Sequence, residues 1–190
     1  MARKPITTWE MLDHAMAHYQ GHISSKQDRY SLSIVDLLYI SNFKGGNASI
    51  TEPKVTLNNK IAAYEKILVD IANSFNGKKL SELSEQETAG LIGLCDKFCA
   101  LTQVKETKIR GFGASYASAL LAAHFMELIP VLDRRILNGA GIEVEYDSQK
   151  QVKEIAQYYG VLIKSCRSEL LKREKLTLRI LDKEWFIKPL

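Results

Sequence analysis

Apolar side chains recur at steps of three and four residues between Asn58 and Phe75, the strongest pattern in this 190-residue chain. This spacing places Ile61, Tyr64, Leu68, Ile71, Ala72 and Phe75 on one face of a helix. The Asn76-Gly77 pair that follows is a normal helix stop. A second apolar helix is predicted after Ser84, which precedes Glu87 by three residues in the pattern of a capping box. The only candidate for an alternating strand is the short segment 142–146, so the sequence predicts an all-α fold.

Weaker helix signals fill most of the remaining chain. The FKGGN stretch at Phe43 to Asn47 must break one of these helices. Without an internal repeat or a low-complexity linker, residues 1–190 are expected to form one compact helical domain. Six further helices are predicted. The first follows a Thr7/Glu10 capping box, the second covers Arg29 to Ile40, and the third runs from the glycine stretch to Met126. The fourth is short and starts at about Leu132, the fifth is opened by Ser148-Gln-Lys-Gln151, and the last is a basic helix through Arg173.

The composition narrows the class of protein. With 46% hydrophobic residues, a chain of this length can bury a proper core without disulfide support. Its three cysteines are odd in number, and Cys95 and Cys99 are spaced as neighbours on one helix face, so reduced thiols are expected. No run approaches the roughly 18 apolar residues of a membrane helix, and no signal-peptide pattern opens the chain. A cytoplasmic protein is therefore expected, and its net charge of +4 permits a polyanionic partner.

The stretch IRGFGASYASALL, from Ile109 to Leu121, contains two glycines one residue apart before an alanine-rich segment. It is not a dinucleotide-binding turn, because no strand is predicted before it and Tyr116 stands where a third glycine is needed. It is not a P-loop either, since it lacks the Gly-Lys-Ser/Thr ending. What remains is a hairpin between two helices with the pattern hydrophobic-x-Gly-hydrophobic-Gly.

A hairpin of this composition suits contact with a phosphate backbone. Gly111 and Gly113 permit a tight turn and a close approach of another surface, and the next helix begins with unpaired N–H groups. Ala117, four residues past the second glycine, lets the two helices pack closely. Such a turn holds a phosphodiester without contacting the bases. The simpler alternative is that the glycines only join two core helices.

The segment from Lys108 to Ile136 resembles the signature of the helix-hairpin-helix DNA glycosylase superfamily. In that family the hairpin LPGVG is followed, after one helix, by a Pro-x-x-Asp element whose aspartate serves catalysis. Here Ile-Arg-Gly-Phe-Gly stands for the hairpin and Pro130-Val-Leu-Asp133 for the second element, both within 105–136. The resemblance implies a glycosylase-like fold of two packed helical lobes, with double-stranded DNA as the partner.

The motif is closest in wording to the branch of the family that excises mismatched adenine. The shared details are the Pro-x-Leu-Asp element and Ser115, two residues past the second glycine. In glycosylases that also cut the strand, the position of Ser115 is a lysine that forms a Schiff base. Its absence implies a monofunctional N-glycosylase, in which the Asp133 carboxylate stabilises an oxocarbenium-like sugar or activates the attacking water. The target base must first be flipped out of the duplex.

Basic residues bracket both elements of the motif and are candidates for phosphate contacts. For Asp133, an N-cap role at the start of a helix is the structural alternative to catalysis. The corresponding functional alternative is a non-catalytic helix-hairpin-helix protein that binds DNA with the same scaffold. The predicted DNA-contacting residues are Lys108, Arg110, Gly111, Gly113, Ser115, Arg134 and Arg135.

The chain also departs from the family. Arg110 replaces the hairpin proline, and the four-cysteine iron–sulfur loop of many members is missing, which excludes a cluster cofactor. A monovalent cation at the hairpin and, in a bacterium, association with the nucleoid are compatible with the resemblance. Upstream, FKGGN is either a DNA-facing loop with Lys44 near a phosphate or a plain interhelical loop. Asp36 is the only acid near the position of a general acid in some branches, and it is not favoured for that role.

Histidines His14, His18 and His22 recur every four residues, a spacing at which neighbouring pairs come within reach of one metal ion. They lie opposite the apolar stripe of the first helix, and no cysteine stands nearby in sequence. A solvated face is therefore expected, and no metal site. Other chemistry-bearing residues are expected in the core or packed against it: His124, Cys95 and the Trp185-Phe186 pair.

Overall fold

The computed structural model describes residues 8–46 and 50–188, and within these ranges the chain is helical and contains no strand. One isolated antiparallel bridge joins Tyr146 to Val152. The all-α prediction is confirmed. The α-helices are α1 (Trp9–Ser25), α2 (Ile34–Phe43), α3 (Lys54–Phe75), α4 (Glu85–Ala100), α5 (Ala114–His124), α6 (Arg134–Gly139), α7 (Tyr159–Lys172) and α8 (Leu178–Ile187), with short 3-10 helices at Leu80–Glu82 and Ile155–Tyr158.

Buried side chains from these helices form one connected hydrophobic core. In one part of it, Tyr64 of α3 makes edge-to-face contacts with Phe98 of α4 and with Phe112, at ring-centroid distances of 5.2 and 6.1 Å. Each contact of this kind adds about 0.5–1.5 kcal/mol to the burial of the rings. The predicted apolar helix from Asn58 is confirmed as α3, which begins earlier, directly after Pro53.

Local capping sets where helices begin. The capping box predicted for α4 is confirmed, because Ser84 Oγ accepts from the Glu87 N–H at 3.2 Å and the Glu87 carboxylate accepts from the Ser84 N–H at 2.8 Å. Thr7, which was predicted to cap the first helix, lies outside the described residues. Thr8 is the N-cap of α1, and its hydroxyl accepts from the Met11 N–H.

Helix α2 begins at Ile34 and not at the predicted Arg29. The reason is a capping box in which Ser33 and Asp36 each accept a backbone N–H of the other. After α2 the chain turns through Gly45 and Gly46, with φ values of 84° and 69° that favour glycine. The predicted break at FKGGN is therefore confirmed in its described part.

The helix predicted to open at Ser148 is wrong. Lys150 and Glu154 have φ values of 57° and 43°, which a right-handed helix does not accommodate. The chain instead makes a turn closed by the Tyr146–Val152 bridge and enters α7 through a 3-10 helix. The short strand considered over 142–146 is reduced to that single bridge.

The Trp185-Phe186 pair, which was predicted to lie in the core or against it, belongs to a full helix, α8, which buries Leu178, Leu181 and Trp185. This helix packs against the short helix α6. Their backbones approach closely because Gly139 has no side chain, and a Cβ at that position would overlap the backbone of Trp185. Gly139 thus allows α8 to pack closely on α6.

None of the described helices is both long and apolar enough to cross a membrane. The three cysteines are buried thiols without disulfide partners. Burial raises the pKa of Cys95, Cys99 and Cys166, so all three are protonated at neutral pH. The core position predicted for Cys95 is confirmed.

Candidate functional site

The predicted hairpin is a tight turn whose two apolar residues point into the core. Ile109 and Phe112 are both buried, and the Phe112 N–H donates to the Ile109 carbonyl oxygen at 3.1 Å. Gly111 occupies the turn with φ of 77°, a conformation that favours glycine. Arg110, Gly111 and Gly113 are exposed. The turn therefore presents backbone and one arginine at the surface.

The second glycine is not explained by the fold. Gly113 is the N-cap of α5 with an ordinary extended conformation, at φ of −89°. A Cβ built there would meet nothing within 4 Å. Glycine is acceptable at an N-cap, although a serine or an aspartate caps better. The internal structure thus requires glycine at Gly111 and leaves Gly113 open to a side chain.

Glu52 and Lys60 support the turn at Arg110, the position of a proline in the glycosylase hairpin that the sequence resembles. The Arg110 N–H, a donor that proline would lack, donates to Glu52 Oε1 at 2.9 Å. Lys60 holds Glu52 in an ion pair of 2.6 Å and also donates to the Lys108 carbonyl oxygen at 2.6 Å. Burial alone would raise the pKa of Glu52, but Lys60 and the Arg110 N–H keep it below the usual range. Arg110 therefore fits the turn with its N–H satisfied.

Helix α5 connects this hairpin to the Pro-x-x-Asp element. Ser118 lies about one turn into α5, and its hydroxyl accepts from the Leu132 N–H at 2.9 Å. From α7, the Tyr159 hydroxyl donates to the Pro130 carbonyl oxygen at 2.9 Å. Both hydrogen bonds are buried. They fix the loop that delivers Asp133.

Asp133 is the N-cap of α6 and also half of an ion pair. Its Oδ1 accepts from the Arg135 N–H at 2.9 Å, and its Oδ2 lies 2.5 Å from Lys44 Nζ. Burial alone would raise the pKa of Asp133, but Lys44 and then the Arg135 N–H hold it below the usual range. The carboxylate is therefore ionised at neutral pH.

A cavity of about 260 Å³ opens beside Asp133. Aromatic and aliphatic side chains line much of it, and several charged groups are set among them. Four helices, α1, α2, α6 and α8, contribute to its walls. The lining residues are Trp9, Leu12, Phe43, Lys44, Val131, Asp133, Arg134, Arg135, Ile136, Gln151, Arg179, Asp182 and Phe186.

Two arginines lie on the aromatic rings of this cavity. The Trp9 and Phe186 ring centroids are 5.5 Å apart. The Arg179 guanidinium lies 4.1 Å from the Trp9 ring and that of Arg135 lies 4.7 Å from the Phe186 ring. Arg179 is also paired with Asp13 at 2.8 Å. Each ring thus has a guanidinium group over one of its faces.

Asp182 is a second carboxyl group in the cavity wall. Its side chain comes from α8 and the residue is only 5% exposed. Its Oδ1 is buried and has no hydrogen-bond partner within the described part of the chain. Burial raises the pKa of Asp182 to about 7, although Arg179 acts in the opposite direction. The cavity therefore contains two aspartates with opposite pKa shifts.

The predicted site residues fall into two groups. Asp133, Arg134 and Arg135 line the cavity, and Arg134 also donates to the Lys150 carbonyl oxygen at 2.8 Å. The residues of the second group lie at the hairpin, about one turn of α5 before Ser118, whose hydroxyl contacts Leu132. Ser115 is partly buried there, in the first turn of α5. The second group consists of Lys108, Arg110, Gly111, Gly113 and Ser115.

Several cavity residues could not be recognised from the sequence pattern. Lys44 was expected either near a phosphate or in a plain loop, and its pairing with Asp133, 89 positions away, was not foreseen. The exception is Asp182, an acid on the same buried face of α8 as Leu178 and Trp185. An acid on an apolar helix face is a common sign of a functional or buried polar site.

A second buried polar cluster lies between α1, α2 and α5. Tyr19 OH donates to Asp36 Oδ1 at 3.1 Å and lies 3.3 Å from His124 Nε2. Lys26 Nζ is 2.8 Å from the same Asp36 oxygen. Burial lowers the pKa of His124 to about 3, and Lys26 contributes to this shift. His124 is thus a buried, hydrogen-bonded histidine, as predicted.

The predicted solvated histidine face is only partly right. His14 and His18 are exposed, but His22 is partly buried, with its ring centroid 5.1 Å from that of Tyr39. His22 Nε2 lies 3.8 Å from Asp36 Oδ1. Among residues 8–46 and 50–188, no three His, Cys, Asp or Glu side chains are arranged to hold a metal ion.

Comparison of this chain with known proteins gives no significant match. No family model matches it, and no curated protein and no solved structure is significantly similar to it. The resemblance to glycosylases consequently rests on residues 108–136 alone. Function has to be argued from the cavity, the hairpin and their chemistry.

Proposed function

We propose that this protein binds double-stranded DNA and hydrolyses the N-glycosidic bond of a base flipped out of the duplex. The observation that carries the proposal is the cavity at Asp133, because the aspartate of the Pro-x-x-Asp element borders a space with aromatic walls. In this proposal the helical fold is a helix-hairpin-helix glycosylase-like scaffold with two packed lobes.

The state of Asp133 suits glycosidic bond hydrolysis. The bond breaks through a sugar with oxocarbenium character, and a carboxylate beside it stabilises that cation or activates the attacking water. Its lowered pKa keeps Asp133 ionised at neutral pH. A carboxylate has about four lone-pair positions, so the contacts to Lys44 and Arg135 leave room for a water or a sugar.

The walls of the cavity suit a planar base. Bases extruded from a duplex are held by stacking on aromatic side chains and by hydrogen bonds to their edges. Trp9 and Phe186 provide rings at one wall, where Arg179 and Arg135 now lie on their faces. Arg135 and Asp182 provide groups for hydrogen bonds to the base.

The hairpin supports the DNA-binding part of the proposal. Gly113 has neither a positive φ nor a neighbour that excludes a side chain, so close approach of an external surface is a reason for glycine there. Lys108 and Arg110 are exposed beside it and carry the charge that phosphates require. A backbone contact of this kind anchors DNA without selecting a sequence.

The proposed enzyme is monofunctional. The family's Schiff-base lysine has its counterpart at Ser115, whose hydroxyl cannot form an imine. The structure does bring an amine to the cavity, that of Lys44, but this amine is ion-paired with Asp133. An ammonium group held by a carboxylate has no lone pair for attack on a sugar aldehyde.

A non-catalytic DNA-binding protein is the second candidate function. The observation in its favour is that Asp133 already caps α6 through the Arg135 N–H, a role that needs no substrate. Both candidates predict DNA binding that weakens with salt. They differ on whether a base is released.

Variants of Asp133 separate the two candidates. Asp133→Asn and Asp133→Ser both retain an N-cap side chain and remove the carboxylate. We expect both to abolish abasic-site formation on a panel of lesion-bearing and mismatched duplexes, with DNA affinity within a factor of two of wild type. Asp70→Asn, on the exposed face of α3, is the matched control and should retain activity. If wild-type protein binds the duplexes and leaves every base in place, the binding-only function is correct.

A further inference from the structure

Resting on the proposed glycosylase function, we propose that Asp182 is a second catalytic residue, which protonates the departing base, and that the base excised is uncharged. The role follows from three features of the cavity: its two aspartates, the buried oxygen of Asp182 without a partner, and the cationic groups in its wall.

The position of Asp182 in the cavity wall is fixed by the packing of α8. It lies on the buried face of α8 between Leu181 and Trp185, and Gly139 lets that helix pack closely on α6. A buried carboxyl oxygen without a hydrogen bond is costly. A fold retains such an atom most readily where a ligand supplies the missing partner, and a ring nitrogen or an N–H of a base in the cavity does so.

The surroundings of Asp182 favour its protonated form. Burial raises the pKa of Asp182 to about 7, and Asp133 on the neighbouring element also raises it, while Arg179 and a hydrogen bond from the Val131 N–H act in the opposite direction. From α7, Cys166 and Tyr159 face it as protonated groups, and Asp182 in turn contributes to raising the pKa of each. From α1, Trp9 covers Arg179, whose charge is shared with Asp13.

The two aspartates are thus suited to different roles. Asp133 is held ionised by Lys44, whereas a large fraction of Asp182 is protonated at neutral pH. Two titratable groups whose environments move their pKa values apart are the usual arrangement of an acid and a base in one active site.

The reaction balances without any further reactant. The bond between C1′ and the base nitrogen breaks, and its electron pair leaves with the base. The Asp182 carboxyl proton passes to a nitrogen of that base, so that the base departs uncharged. Water adds to C1′ and loses a proton to Asp133 or to solvent, and Asp182 regains a proton from solvent.

The charge of the cavity wall argues for an uncharged base. Lys44, Arg135 and Arg179 all line the cavity and disfavour a cationic, ring-alkylated base. Such a base also needs no proton to leave, because bond cleavage itself neutralises it. An uncharged base leaves slowly without protonation, which is the step that Asp182 accelerates.

The test is a single-turnover comparison of two leaving groups with the full-length protein. One set of duplexes carries uncharged bases: hypoxanthine, uracil, and adenine opposite 8-oxoguanine. The other carries cationic N7-methylguanine. Wild type, Asp182→Asn and the control Asp70→Asn are assayed from acid to alkaline pH, with DNA affinity measured alongside.

We expect Asp182→Asn to slow release of the preferred uncharged base by about 100-fold or more, with DNA affinity unchanged. Release of N7-methylguanine, where wild type shows it, should change only a few-fold. The wild-type rate on the uncharged base should fall above about pH 7, and this fall should be absent in the variant.

Equal slowing on both leaving groups, or the same alkaline fall in variant and wild type, overturns the role of Asp182. So does a variant as fast as wild type. Preferred release of N7-methylguanine by wild type overturns the uncharged substrate. If wild type releases no base from any duplex while Asp182→Asn folds and binds DNA normally, the proposed function itself fails, and this inference fails with it.

Discussion

Asp36 and Asp133 both lie at the start of a helix and make similar local contacts, but their surroundings differ. Asp36 in α2 and Asp133 before α6 each pair with a lysine, at 2.8 and 2.5 Å, and each accepts backbone N–H groups at the first turn of its helix. In both, burial alone would raise the pKa, and the lysine and the N–H contacts hold it below the usual range.

The difference lies in what surrounds each carboxylate. Asp36 is fully buried, and both of its oxygens accept hydrogen bonds, from Tyr19, Lys26 and Ser33. The side chain of Asp133 is 26% exposed and lines a cavity. A buried, ion-paired acid is therefore not by itself a functional site. An open cavity with a second acid, one oxygen of which has no hydrogen-bond partner in the described part of the chain, is the feature that distinguishes the Asp133 region.

The comparison predicts opposite outcomes for stability and function. Asp36→Ala should lower the free energy of unfolding by about 3 kcal/mol, because it strands Lys26 and leaves the Tyr19 hydroxyl without an acceptor. Asp133→Ala should cost about 1 kcal/mol, mainly the lost cap. Urea unfolding monitored by circular dichroism measures both. Similar losses for the two variants would mean that Asp133 is as structural as Asp36.

The cavity region depends on close contact between α6 and α8. Gly139→Ala should destabilise the protein by about 2 kcal/mol, because the added methyl group overlaps the backbone of Trp185. It should also reduce base release, since α8 carries Asp182. Gly93→Ala is the matched control in the exposed part of α4, where nothing lies within 4 Å, and it should stabilise by about 0.5–1 kcal/mol. A harmless Gly139→Ala would contradict the packing described for α6 and α8.

Features of the fold that depend on neighbouring residues could be predicted from the sequence. The Ser84 capping box depends on residues within one helical turn, and this prediction is confirmed. The N-cap role of Asp133, considered as the structural alternative to catalysis, is equally local and is observed. The hairpin turn at Gly111 is also local. The predicted helix at Ser148 fails because two non-glycine residues nearby take positive φ, an outcome that composition does not indicate.

The cavity itself is a tertiary feature. Lys44 and Asp133 are 89 residues apart in the chain, and the rings of Trp9 and Phe186 come from its two ends. No spacing rule joins such residues. The raised pKa of Asp182 results from burial that exists only once α8 is packed. Sequence reasoning therefore supplied Asp133 and the hairpin, and folding supplied the space beside them.

The pH dependence of stability should separate the two regions. A folded-state pKa above the unfolded value means that the wild-type protein loses stability as pH rises toward the Asp182 pKa of about 7. Asp182→Asn removes this loss, so it should gain roughly 1–2 kcal/mol over wild type between about pH 5 and pH 8. Asp36 and Asp133 have the opposite sign and lose their contribution in acid. Urea unfolding across this range checks the sign, and parallel curves for variant and wild type would contradict it.

At the hairpin, a small substitution should lower DNA affinity and leave the stability of the fold nearly unchanged. Gly113→Ala places a methyl group where nothing lies within 4 Å, so stability should change by less than about 0.5 kcal/mol. DNA affinity should fall about fivefold, or about 1 kcal/mol, if a phosphate approaches this backbone. Fluorescence anisotropy with labelled duplex measures it, with Gly93→Ala as the control. Unchanged DNA affinity would mean that Gly113 only connects two helices and does not contact a phosphate.

The smallest expected effect concerns Lys44. Borohydride added to protein and duplex containing a preformed abasic site should trap no covalent adduct, because the Lys44 amine is paired with Asp133. Denaturing electrophoresis shows such adducts directly. An adduct that disappears in Lys44→Met would make the enzyme a strand-cutting one, with its lysine supplied by the residue that follows α2 and not by the hairpin.

The central claim is that chemistry takes place in the cavity beside Asp133. Its most direct test is the mass-spectrometric detection of free bases released from damaged, mismatch-containing DNA by wild-type protein and by Asp133→Asn at equal DNA occupancy. The proposed function predicts at least one base released by wild type and none above background by the variant. Release of the same base at the same rate by both proteins would contradict it.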